Sequence, residues 1–168
     1  VRYPEGKNHF DTAPDLSHPY MRSDLSKCIN CYRCIRACDE VQGELVLSMM
    51  GRGFNATVIK GNNVSYFESD CVSCGACAQA CPTDAITDIF DSKSKDFDDK
   101  IRTTCTYCGV GCNLEVAVKD GKVKSIQAPF DAEVNMGHTC LKGRYAFSFY
   151  NHPDRITKPL IRKNGVLE

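Results

Sequence analysis

Tryptophan is absent from the 168 residues, and so is net charge, since 21 Lys and Arg balance 21 Asp and Glu. A chain without surplus charge has no long-range field to gather nucleic acid or an anionic lipid surface. Long hydrophobic runs are also missing. "ELVLSMM", the longest, is far short of the roughly 20 apolar residues that a membrane-spanning helix needs. No charged-then-apolar leader follows Val1, so no signal peptide is visible and a cytoplasmic location is expected. "KPLIRKNGVLE" carries no helix cap or closing element, so the expectation is a segment of a longer polypeptide.

What the chain has in excess is cysteine. There are 12, all in spaced groups with none left over. Repeated C-x-x-C spacing is a poor pattern for structural disulfides, because neighbouring thiols seldom serve as staples. The pattern points to metal.

Four regions are expected. Residues 1–22, with three prolines and two histidines, read as an extended lead-in. Residues 23–90 hold two cysteine groups, each running into a short helix-compatible piece, "CIRACDEV" and "CAQACPTDAI". Between them "FNATVIK" and "VSYF" suggest a hairpin around "GNN". Residues 91–100, "DSKSKDFDDK", read as a charged linker with room for a short helix. Residues 101–168 change character: "NLEVAVKDGKVKSIQA" alternates around Asp120-Gly121, a dipeptide that favours a type I′ hairpin. "CLKGRYAFSFY" can form a helix, and "HPDRITKPLIR" looks extended. The expected fold class is α+β: a two-cluster, bacterial-ferredoxin-like module followed by a small domain rich in β-hairpins.

Cys28, Cys31, Cys34 and Cys38 follow C-x2-C-x2-C-x3-C, and Cys71, Cys74, Cys77 and Cys81 repeat it. Pro82 completes the C-P ending in the second copy only. This is the run of two-cluster bacterial ferredoxins, in which the fourth cysteine ligates the other cluster. Three thiolates on a tight loop can wrap three corners of an iron–sulfur cube, and the helix that follows carries the fourth away. Cys28, Cys31, Cys34 and Cys81 are therefore expected to hold one [4Fe–4S] cluster, and Cys71, Cys74, Cys77 and Cys38 the other. Zinc, which favours separated C-x-x-C pairs, suits the pattern poorly.

Asp39 in place of a proline lets the first helix run on through "DEVQ". Gly75, Ala76, Ala78 and Ala80 let backbone amides approach the second set of sulfurs, whereas Asn30, Tyr32 and Arg33 make the first loop bulkier. The two clusters should differ in potential.

The third group differs. Cys105, Cys108 and Cys112 follow C-x2-C-x3-C, and Cys140 lies well downstream, so a self-contained third [4Fe–4S] site is expected. Gly109 and Gly111 suit positive φ or close approach to sulfide. "TTCTYCGVGCNLEVAVKDGKV" and "NMGHTCLKGRYAFSFYNHPDRITKPLIRKNG" resemble the amino-terminal cluster domain of the molybdenum or tungsten bis-pterin oxidoreductases. The likeness is strongest to the catalytic subunit of formate dehydrogenase. "DLSKCINCYRCIRACDEVQG", "GRGF" and "SDCVSCGACAQACPTDAI" resemble the two-cluster module of the NAD-dependent, multi-subunit type. Related modules occur in the large iron–sulfur subunit of complex I and in iron-only hydrogenases.

The resemblance implies that Cys105, Cys108, Cys112 and Cys140 ligate the cluster nearest the pterin, and that Lys142 lies on the electron path to it. It implies partner subunits that bind flavin and NAD or carry further clusters, and a bis-pterin guanine dinucleotide bound mainly by domains outside this segment. No catalytic residue is expected within the segment. Three oxidised clusters with their thiolates would bring its charge to about −6. His138 is expected to be a loop residue, and His9, His18 and His152 surface or interface histidines. "KSK" and "RKNG" read as solvated charge. The rival readings are a standalone polyferredoxin carrier, another pterin enzyme such as a nitrate reductase or formylmethanofuran dehydrogenase relative, and a zinc-stabilised interaction module.

Overall fold

The computed structural model describes residues 13–168; His9 and the first part of the expected lead-in lie outside the described residues. The first module is closed by its own ends. Strand β1 (Met21–Ser23) pairs antiparallel with β4 (Ile86–Asp88), Met21 opposite Asp88. The module thus begins before the expected boundary at Ser23, because Met21 is fully buried and Asp15 bridges back to Ser23.

Between these strands lie two short helices and a hairpin. Helix α1 (Arg33–Arg36) continues as a π-helical turn, Ala37–Val41, the extension that Asp39 permits in place of proline. Helix α2 (Ala76–Ala80) stops at Cys81, whose extended backbone precedes Pro82.

The hairpin is not the expected one. Strand β3 (Thr57–Lys60) pairs with β2 (Leu47–Met50) rather than with "VSYF". Gly51, at φ +75°, makes the connection possible, since a Cβ there would overlap the Asn55 carbonyl. Residues 64–67 instead turn, which puts the Tyr66 ring into the core at 2% exposure with its N–H on the Asp15 carboxylate, 2.9 Å. The core gathers Met21, Leu47, Val58, Tyr66, Ala78 and Ile86 around Cys34, Cys77 and Cys81. The cysteines are thus part of the apolar interior.

The second module is a three-stranded antiparallel meander of β5 (Asp99–Thr104), β6 (Asn113–Lys119) and β7 (Lys122–Gln127). Asp120 and Gly121 join β6 to β7 with φ of +50° and +70°, the pair of left-handed residues that a type I′ turn requires. The expected linker gives its last two residues to β5, and residues 91–98 form turns without a helix.

Helix α3 (Leu141–Tyr145) is shorter than "CLKGRYAFSFY" allows, because Ala146 leaves helical geometry before the 3-10 turn Ser148–Asn151. At the end of "HPDRITKPLIR", where "RKNG" reads as solvated charge, the chain forms a hairpin, β8 (Arg162–Lys163) with β9 (Val166–Leu167), turning on Asn164-Gly165. Helices and antiparallel pairs together make a small mixed α+β arrangement. No helix among the described residues is long and apolar enough to cross a membrane.

The modules are joined by side chains from α3. Tyr145 stacks on Tyr20 with ring centroids 4.8 Å apart and planes 6° apart, and Phe90 packs against both Tyr145 and Phe147. Gln79 of α2 donates to the Ala128 carbonyl, 2.7 Å.

Candidate metal centres

The two repeated loops have one backbone. In the first, Asn30 and Tyr32 take positive φ, 52° and 63°; in the second, Ser73 and Gly75 do so, 59° and 73°. Alternating left- and right-handed residues turn successive N–H groups toward one side, making a concavity suited to anions such as thiolate and sulfide. The Asn30 N–H lies 3.4 Å from Cys28 Sγ. Ser73 and Ala76 donate in the same way to Cys71 and Cys74.

Helices α1 and α2 then cross the fourth cysteines over. One cavity is lined by Cys38, Cys71, Cys74 and Cys77, with Met21, Val46, Leu47 and Tyr66 among its apolar walls. A second is lined by Cys28, Cys31, Cys34 and Cys81, with Leu25, Val58 and Ile86. Each therefore draws three cysteines from one loop and one from the end of the other.

Burial raises the Cys34 thiol to about 11, and the neighbouring Cys28, Cys81 and Cys31 sulfurs push the same way. Burial likewise pushes Cys77 well up, with Cys74 and Cys71 adding to it. Cys81 is the exception. Burial would raise it, but N–H groups of Ile86, Thr83 and Ala85 and the Thr83 hydroxyl outweigh that and favour the thiolate.

The third group sits at the surface. Cys105 follows β5, Cys112 precedes β6, and the Cys105 N–H donates to the Cys112 carbonyl, 2.8 Å. Cys140 is the residue at which α3 begins. Burial raises the Cys112 thiol, and Cys105, Cys108 and Cys140 push the same way. Gly111 takes φ +67° as expected; Gly109 has open space where its Cβ would be and no positive φ. Gly143 is needed instead, since a Cβ there would overlap Thr139 Oγ1 and lie 3.7 Å from Cys105 Sγ. Exposed Lys142 lines a groove of about 1140 Å³ with Cys105, Tyr107 and Phe149.

The donor set fits four-iron clusters. All twelve cysteines are free thiols. The two crossed cavities take four of them each. A zinc ion with Zn–S near 2.3 Å draws its sulfurs together, whereas a cube holds one at each of four corners.

Several polar groups beside the sulfurs had no signal in the sequence. His18, expected at a surface, is buried. Its Nδ1 accepts from the N–H groups of Tyr20 and Met21, both 3.0 Å, so Nε2 carries the proton; it faces Ser73 Oγ at 3.0 Å and Cys71 Sγ at 3.9 Å. The Tyr66 hydroxyl lies 3.8 Å from Cys77 Sγ. Lys93, of "KSK", donates to the Cys81 carbonyl and pairs with Asp84 at 2.9 Å, so it is not merely solvated. Arg144, absent from the expected site, is 1% exposed and donates from Nε to the Cys74 carbonyl at 2.8 Å. His138 bonds Gln42 of the first module, 3.1 Å, and His152 is exposed.

Two family models match this chain. Residues 27–85 match the 4Fe-4S dicluster domain, and residues 98–152 match the molybdopterin oxidoreductase Fe4S4 domain. Proteins named "Putative formate dehydrogenase" from Staphylococcus aureus strains USA300 and MRSA252 are each 33% identical over 187 aligned positions. Each alignment takes in 88% of this chain, and the chain spans 19% of the length of these relatives. The two cysteine-rich modules are thus similar to iron–sulfur domains, the second to one from molybdopterin oxidoreductases.

Proposed function

We propose that this chain is the electron-relay segment of a formate dehydrogenase catalytic subunit of the NAD-dependent, multi-subunit type. When bound, three [4Fe–4S] clusters would supply one-electron chemistry between a molybdenum or tungsten bis-pterin site and a partner flavin/NAD or ferredoxin module. The observation that carries this reading is the pairing of two crossed cysteine cavities with a third, self-contained group in one chain, in the order of the two matched families.

The residues divide the work. Cys28, Cys31, Cys34 and Cys81 hold one cluster, Cys38, Cys71, Cys74 and Cys77 the second, and Cys105, Cys108, Cys112 and Cys140 the third. The loop N–H groups and the Tyr66 hydroxyl stabilise added negative charge at the sulfurs. Apolar side chains line most of both cavities, the first-loop site remaining open at Cys31. Helix α3 links the third group to the second: the Arg144 N–H bonds the Cys140 carbonyl, 3.1 Å, and its side chain bonds the Cys74 carbonyl. The Cys38 site is therefore the one of the pair that faces the third group. Exposed Lys142, two residues beyond Cys140, offers a cation toward the pterin.

The test is metal analysis of the full-length protein with a formate-dependent dye-reduction assay. Molybdenum or tungsten together with formate-driven reduction is expected. Iron without either metal would instead mark an electron carrier with no enzyme attached.

A further inference from the structure

We infer that Arg144 is the counter-cation of the cluster held by Cys38, Cys71, Cys74 and Cys77, and that it raises that cluster's reduction potential. The inference rests on the cluster assignment proposed above.

A guanidinium at 1% exposure is costly to bury unless a negative charge compensates it. Among the described residues Arg144 has hydrogen-bond partners but no ion-pair partner. Nε donates to the Cys74 carbonyl, 2.8 Å, and Nη1 to the Gln79 side-chain oxygen, 2.6 Å, both neutral. Nη2 is buried and bonds nothing. Among the described residues no carboxylate lies within ion-pair distance of it. The Asp88 carboxylate favours the charged form of Arg144 from beyond ion-pair distance, and its oxygens are bonded instead by the N–H groups of Phe90 and Ser92 and by the Ser92 hydroxyl.

Thiolates at Cys74 and Cys77 would supply the further charge: Arg144 is held on the Cys74 carbonyl and against Gly75, the residue after Cys74, and both sulfurs, once ionised, favour its cationic form. Half-buried Lys93 and Lys60 differ, because Asp84 pairs with the first at 2.9 Å and Asp15 with the second at 2.8 Å. The loop is shaped to admit Arg144: Gly75 stands where a Cβ would overlap Arg144 Cδ and lie 2.8 Å from Nε.

The consequence is electrostatic. Taking up one electron makes a four-thiolate cluster one unit more negative. A fixed cation beside it favours the reduced form, and burial leaves that attraction little screened.

The test is an EPR-monitored redox titration of the full-length holoprotein and its variants. In Arg144→Met, one of the three midpoints should fall until the ratio of reduced to oxidised cluster at fixed potential drops at least tenfold, about 59 mV for one electron. The signal that moves should be the one lost in Cys74→Ser. Arg144→Lys, which keeps the charge, should move it less. Gln79→Glu neutralises the guanidinium without removing it and should lower the same midpoint. Loss of that cluster from the Met and Glu variants with retention in Lys would also support a charge requirement. Unmoved midpoints with iron content intact would overturn the inference, as would loss of the cluster from the Lys variant. Wild-type protein without three cluster signals would overturn the cluster assignment instead, so the two failures are distinguishable.

Discussion

The loops Cys28–Cys34 and Cys71–Cys77 share a backbone and differ in almost everything that surrounds it. Both place two left-handed residues between their cysteines. In the first loop the second of these is Tyr32, half exposed, and Cys31 is open to solvent. In the second it is Gly75, buried under Arg144 and Tyr145. One loop faces outward; the other is a docking surface for the second module. The repeat thus fixes what the sulfurs hold, and the side chains decide which site talks to which neighbour.

The sharpest way to break this comparison is to remove the crossed cysteines. Cys38→Ser should deprive the second loop's site of its fourth ligand, and Cys81→Ser the first loop's. Each should cost about four irons per chain, with the EPR signal lost being that of the opposite loop. Loss of the same-loop signal would mean that the cysteines do not cross.

Exchanging the left-handed residues comes next. Gly75→Tyr puts a ring where Arg144 and Tyr145 stand and should destabilise the holoprotein by about 3 kcal/mol or more. Tyr32→Gly relieves a left-handed backbone at an exposed position and should stay within about 1 kcal/mol. Thermal unfolding followed by the cluster absorbance would separate the two.

Asp15, which holds the backbone of Tyr66 behind the second site, sharpens the contrast. Burial would raise its carboxyl, but the Lys60 ammonium at 2.8 Å, Ser17 and the Tyr66 N–H hold it well below the usual carboxylate range. A depressed folded pKa gives stability that is full above about pH 4 and lost as pH falls toward the folded value. Asp15→Asn should cost about 1–3 kcal/mol at neutral pH, measured by denaturant unfolding, and remove that part of the acid sensitivity. Smallest is Asp96, bridging Lys119 and Lys124 on the exposed second module, where Asp96→Asn should leave the unfolding temperature unchanged in 0.5 M salt, on the order of full screening.

The chemistry was legible in the sequence to the extent that it lies in local spacing. The two repeated cysteine runs, the Asp120-Gly121 turn and the helical extension past Cys38 each depend on residues close together in the chain. The β2–β3 pairing was not legible, because the burial of Tyr66 against residues far away overrode the strand-like look of "VSYF". Asn164-Gly165 is a readable turn signal that the reading of "RKNG" as solvated charge leaves unused. Arg144 and His18 carried no local mark: nothing in "CLKGR" or "LSHPY" says that the side chain will lie beside a cysteine tens of residues away.

The central claim, that twelve cysteines build three four-iron centres, is tested most directly by iron and acid-labile sulfide per chain in protein purified without oxygen. About twelve of each is the expected result. Four or eight, or zinc in place of iron, would contradict it.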